Sequence, residues 1–331
     1  MTGRRRNRLR LDEYFQGIIQ GDRVILGRAI TLIESDLKTD RQMARALLDK
    51  CMPYTGNAFR IGITGVPGVG KSTFIDAFGE YLIEKGHKVA VLAVDPSSAQ
   101  SRGSILGDKT RMQFLSQNPK AFVRPSPSSG TLGGVTRKSR ESILLCEASG
   151  YEMILVETVG VGQSELAVKE MTDFFLLLML PNAGDELQGI KRGIMEMADA
   201  IFVNKADGDF QEAANRAKTR YSQAMRLMHS NRSTQVPVIT GSGLHRIGLD
   251  KCLIQLQEFR EQDVKNGKWT ERRKEQAKKW LKDRIENYIL DNFWEDPIIQ
   301  KSLKEAEKSL DNFDRSPDSL AEEIIARWRH K

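Results

Sequence analysis

Residues 61–73 read IGITGVPGVGKST, and this stretch decides the fold. Gly65-Val-Pro-Gly-Val-Gly70-Lys71-Ser72 matches G-x-x-x-x-G-K-[ST], with a short apolar run (60–64) before it and a helix-prone segment (72–83) after it. Glycines let successive backbone N–H groups turn inward and form an anion nest. The N-terminus of the following helix adds its positive dipole end. A lysine in this position reaches the β- and γ-phosphates, and the adjacent hydroxyl binds Mg²⁺. A structural glycine-rich turn is the other reading. The strand-turn-helix frame favours nucleotide binding by Gly65, Val66, Pro67, Gly68, Val69, Gly70, Lys71, Ser72 and Thr73.

Outward from this loop the same rhythm repeats. Apolar runs at 60–64, 89–94, 121–124, 153–157, 174–180, 201–204 and 236–239 alternate with longer helical stretches. Strands of nearly continuous apolar character, separated by helices, predict a mostly parallel sheet covered on both faces. Upstream, residues 11–50 read as two or three helices, and MPYTGN (52–57) as a linker. After about residue 265 the strands stop. Residues 269–331 are charged and helix-prone, with Trp280, Ile285, Tyr288, Ile289 and Phe293 as an apolar stripe. Such a stripe must pack on the sheet domain or on a second subunit. The expected division is a helical extension (1–56), a nucleotide-binding α/β domain (57–265) and a helical arm (266–331).

Composition narrows the class. The chain has 331 residues, 40% hydrophobic and 29% charged, enough apolar content to exclude global disorder. Lys plus Arg is 51 and Asp plus Glu is 44, a formal charge of +7. The opening MTGRRRNRLR is basic, but the remaining cations are interleaved with acids and carry no nucleic-acid-binding signature. The longest apolar run, residues 174–180, is too short to cross a bilayer. Three widely spaced cysteines form no disulfide framework. The expectation is a cytoplasmic protein that engages neither nucleic acid nor membrane.

Base identity is read at Asn204-Lys205-Ala206-Asp207, after an apolar strand. A carboxylate in the N-K-x-D pattern accepts both guanine N1–H and N2–H₂, a donor pair that adenine lacks. Farther on, Ser242, Gly243 and Leu244 follow another strand, where a base-backing loop belongs. Asp95, Asp108 and Glu157 stand in loops after strands and, with Ser72, are candidates for the Mg²⁺ shell. The candidate catalytic set is Lys71, Asp95, Asp108 and Glu157. The segment Glu157-Thr-Val-Gly160-Val161 departs from the D-x-x-G-Q of Ras-type GTPases: Glu replaces Asp, and Val161 stands where the water-orienting Gln would be. Slow intrinsic hydrolysis is expected, accelerated when a partner orders the polar segments 95–111 and 160–163, which read as switches.

Taken together, ITGVPGVGKST, VDPSS, GSILGDKTRM, ETVGVGQSE, LPNAGDELQGIK and VNKAD resemble the MeaB/ArgK-type GTPase family. GDRVILGRAITLIES near the N-terminus and SPDSLAEEI in the tail extend the resemblance over nearly the whole chain. It implies a P-loop GTPase using Mg²⁺ with GTP and GDP, with no tightly bound metal of its own. It also implies a homodimer, built through helical extensions, that chaperones an adenosylcobalamin-dependent acyl-CoA mutase, chiefly methylmalonyl-CoA mutase. Asp185, Glu186 and Lys191 would then lie in a third switch that couples nucleotide state to the mutase. Two departures from the family pattern stand out: AQSRGS at 99–104, and VITGSGLHRIG at 238–248, where Gly243 and His245 replace the commoner Ala and Thr.

Two other functions fit a phosphate loop. A metal-inserting maturation GTPase needs a Cys/His cluster, and here His87, His229, His245, His330 and the cysteines are scattered. A transport-associated kinase or ATPase needs a base for the acceptor, which no motif supplies.

Overall fold

The computed structural model describes residues 8–94, 112–125, 132–158, 163–181, 192–228, 235–311 and 314–329. Among them the strands are β1 (Phe59–Gly65), β2 (Val89–Val94), β3 (Ala121–Arg124), β4 (Met153–Thr158), β5 (Phe174–Met179), β6 (Ala200–Val203) and β7 (Val238–Thr240). They form one sheet in the order β3-β2-β4-β1-β5-β6-β7, every pairing parallel. The apolar runs are therefore strands of a parallel α/β sheet, with β3 and β7 at its edges, as their lack of alternation predicts. The last strand begins two residues later than its apolar run because Pro237 has no N–H to give to the ladder; its carbonyl accepts from Ile201 N at 2.9 Å instead. The fifth stops at Met179, ahead of Pro181.

The helices follow the sequence signals. Upstream of the sheet lie α1 (Leu11–Ile19), α2 (Arg23–Glu34) and α3 (Lys38–Cys51). Asp22 caps α2, its carboxylate accepting from the N–H groups of Val24 and Ile25. Next come α4 (Lys71–Glu84), α5 (Gln113–Gln117), α6 (Leu132–Ala148), α7 (Gln163–Lys169), α8 (Arg192–Met197), α9 (Gln211–Met228) and α10 (Leu249–Lys265). On one sheet face, Leu26 and Ile30 of α2, Leu47 of α3 and Leu145 of α6 bury against Ala90, Leu92, Ile154 and Val156. On the other, Phe74, Phe78 and Leu82 of α4 and Leu253 of α10 meet Ile61, Ile63, Val91 and Leu155. Alternate residues of one strand thus serve opposite faces. The Arg60–Glu147 ion pair (2.7 Å), with Glu147 buried and Arg60 partly so, ties β1 to α6.

Residues Met1–Arg272 make one compact unit and Arg273–Lys331 a second. The second contains most of α11 (Lys268–Glu295), with α12 (Pro297–Asp311) and α13 (Pro317–Arg329). Ile299, Ala306 and Leu320 are buried between α12 and α13, whereas α11 buries none of its residues. No helix among the described residues is long and apolar enough to cross a membrane. Cys51, Cys146 and Cys252 are buried free thiols; burial pushes Cys51 up to about 11, Cys252 to about 12 and Cys146 higher still. They stay protonated, and unreactive, at neutral pH.

Candidate nucleotide site

β1 delivers the chain into the phosphate loop. At Gly65 a Cβ would lie 2.6 Å from the Leu178 carbonyl oxygen, so the strand end admits glycine alone. Gly68 (φ +80°) and Gly70 (φ +91°) take the left-handed conformation that turns the loop back on itself. Gly70 is also the N-cap of α4, and its carbonyl accepts from Phe74 N at 2.9 Å. Lys71 opens that helix and folds its ammonium over the loop, donating to Gly65 O at 2.9 Å and Val66 O at 3.4 Å. Burial pushes Lys71 below the usual lysine range, and the charges of Glu157 and Glu165 push it back up. Ser72 Oγ donates to Glu157 Oε1 at 3.2 Å. A hydroxyl and a carboxylate side by side are hard oxygen donors, the set Mg²⁺ prefers. Thr158 and Thr64 share a buried 2.8 Å hydroxyl contact that fastens β4 to β1 where both strands end.

The base end is built by β6 and β7. Asn204 is buried, and its Nδ2 donates to Val69 O at 2.8 Å while its Oδ1 accepts from Gly243 N at 2.8 Å. One amide therefore joins the phosphate loop, the end of β6 and the loop after β7. Lys205 adopts φ +57° and stretches its exposed side chain to Gly68 O (2.8 Å). Asp207 is half-buried, with Ala206 N bonded to Gly241 O at 2.9 Å beside it. An antiparallel bridge between Ser242 and Ile247 closes the loop after β7. Gly243 packs so close to α4 that a Cβ would sit 2.8 Å from Phe74 Cα. Phe74 in turn meets Phe202 of β6 at 4.8 Å between ring centroids, setting the phosphate-loop helix against the base-reading strand. Such an aromatic pair is worth about 0.5–1.5 kcal/mol beyond its buried area.

The structure thus brings together Gly65–Thr73 of the loop, Glu157, Asn204, Lys205, Asp207, Ser242 and Gly243. Leu244 belongs to the same loop but points outward, 71% exposed. Asp95, Asp108, Asp185, Glu186 and Lys191, and both expected switch segments 95–111 and 160–163 apart from the start of α7, lie outside the described residues. Two features were not assigned from sequence. Glu165, fully buried on α7, acts electrostatically on Lys71; its signal was its place at the end of ETVGVGQSE. Arg246 reaches back to α4, to Glu84 at 2.5 Å and Glu80 at 3.4 Å, and no local pattern announces contacts so far apart in sequence.

Known proteins resemble this chain over most of its length. A family profile described as methylmalonyl Co-A mutase-associated GTPase MeaB matches residues 26–298. A probable GTPase of Mycobacterium tuberculosis (strain H37Rv) is 48% identical over 306 residues, 92% of this chain and 91% of that protein. A mouse protein described as methylmalonic aciduria type A homolog, mitochondrial, is 42% identical over 332 residues, 97% of this chain and 80% of its own length. A crystal structure described as LAO/AO transport system kinase superposes with a TM-score of 0.75 at 35% identity, covering 96% of this chain and 97% of that one.

Proposed function

The chain belongs to the MeaB family of methylmalonyl-CoA mutase-associated GTPases, and from that premise we propose that its GTP cycle gates adenosylcobalamin delivery to an acyl-CoA mutase and protects that mutase from inactivation. The enzyme is a GTPase. The observation that carries the residue assignments is the Asn204 amide, which holds the phosphate loop and the base loop at one spacing.

In this reading Asp207 accepts the guanine N–H groups and Lys205 lies along the base. Lys71 leaves the Gly65 carbonyl to reach the phosphates, where it and the loop amides stabilise charge as water attacks the γ-phosphorus. Ser72 and Glu157 would hold Mg²⁺, with Asp95 and Asp108 as further acids, and the bound ion supplies charge neutralisation at the β- and γ-oxygens. Asp185, Glu186 and Lys191 pass the nucleotide state to the client. We further propose a homodimer through the helical arm. Leu281, Ile285, Tyr288, Ile289 and Trp294 of α11 are each about half exposed or more, an apolar surface that a second copy would cover.

The deciding experiment compares GTP hydrolysis with and without a purified adenosylcobalamin-dependent acyl-CoA mutase from the same organism. Strong stimulation is expected. Its absence, with slow GTPase activity intact, sinks the mutase reading. Lys191→Ala is expected to lower the stimulated rate more than the basal one; an equal loss of both removes the separate coupling switch.

A further inference from the structure

The loop after β7 puts a titratable side chain on the base-reading carboxylate. His245 Nε2 lies 3.5 Å from Asp207 Oδ2. They stand thirty-eight positions apart in the chain, and contacts made by Gly243, His245 and Arg246 hold the loop that brings them together. His245 N donates to Ser242 Oγ at 3.2 Å. Gly243 is pressed against Phe74, and its N–H is bound to Asn204 Oδ1. Arg246, with φ +57°, is anchored to Glu80 and Glu84 of α4. The imidazole is open to solvent, its side chain 57% exposed, while Asp207 is 29% exposed.

Guanine needs both oxygens of that carboxylate, one for N1–H and one for N2–H₂. We propose that His245 guards the guanine-reading carboxylate: imidazolium and base compete for Asp207 Oδ2, so that guanine binding displaces the histidine and releases its proton. This deepens the GTPase reading and rests on Asp207 as the guanine-facing group. The histidine is an affinity-determining residue whose effect grows as pH falls.

The charged groups around the contact fix the sign. Lys205, on the same segment as Asp207, spends its ammonium on Gly68 O. Asp209 sits on the exposed turn beyond. Glu80 and Glu84 on α4 are engaged by Arg246, the histidine's neighbour in its own loop. The carboxylate at ion-pair distance from the imidazole is therefore Asp207. Protonating His245 strengthens that pair and favours the form that guanine must break. Affinity for guanine nucleotides should drop as the imidazole gains a proton.

The test titrates GDP into wild type, His245→Gln and His245→Ala between pH 8.0 and 5.5. Titration of the GDP phosphate is common to all three and cancels in the ratio. Wild-type affinity is expected to weaken about fivefold more than that of His245→Gln across the range, the size of one partly exposed ion pair. Calorimetry in buffers of different ionisation enthalpy should show more proton release on GDP binding to wild type than to His245→Gln. Equal pH profiles and equal proton release in wild type and His245→Gln overturn the guard. Asp207→Asn, run in parallel with guanine and xanthine nucleotides, separates the two failures. If it keeps full guanine preference, the reading of Asp207 falls. If it loses that preference while the profiles stay equal, the guard falls alone.

Discussion

Asn204 and Lys71 both donate to backbone carbonyls of the same glycine-rich loop, and the two bonds do different work. The Asn204 bonds, to Val69 O and from Gly243 N, are buried and join parts of the protein to each other. The Lys71 bond to Gly65 O and the Ser72 bond to Glu157 use the cation and the oxygens proposed above for the phosphates and Mg²⁺. In the proposed cycle the base-end bonds persist and the phosphate-end bonds are exchanged on binding.

Four substitutions test that division, from the largest effect down. Asp207→Asn should swing the guanine-to-xanthine affinity ratio on the order of a thousandfold, since a site built for a donor pair rejects a base lacking it; competition binding with GDP and XDP reads this directly. Lys71→Ala should weaken GDP binding about a hundredfold through loss of charge-assisted hydrogen bonds. Its urea midpoint should stay near wild type, because the bond it loses is provisional, and a large fall in that midpoint would break the contrast. Asn204→Ala should do the reverse first. Stranding Val69 O and Gly243 N costs about 2–3 kcal/mol of folding stability by chemical denaturation, with binding impaired as a consequence. Gly243→Ala should cost about 1–2 kcal/mol by forcing a methyl onto Phe74, and should weaken guanine binding by moving the loop. A neutral outcome there would mean that the loop and α4 can part freely.

The contiguous parts of the site were legible in the sequence for a physical reason. A phosphate nest depends on backbone dihedrals, and Gly68 and Gly70 advertise those wherever they stand. The apolar runs found the strands because a parallel sheet buried on both faces leaves them no polar alternation. What the runs misjudged was an end: Val236 and Pro237 are apolar, yet proline cannot enter the ladder. The long-range contacts were hidden. Nothing in the letters around Arg246 says that it meets Glu84, 162 residues away. His245 was noticed as a departure from the family pattern, but its approach to Asp207 follows from the pairing of β6 with β7, where Val203 aligns with Thr240. Glu165, at the end of ETVGVGQSE, reads as one more acid on a helix, and its burial and its charge effect on Lys71 emerge only in the fold.

The Asn204 brace also bears on turnover. A pocket that assembles around each incoming ligand loses conformational entropy at every association, and its affinity is reduced by that amount each time. Here one amide sets the distance between the base jaw and the phosphate jaw, like a caliper locked at a single width. The ordering of that spacing is met once, when the chain folds, and not again at each association.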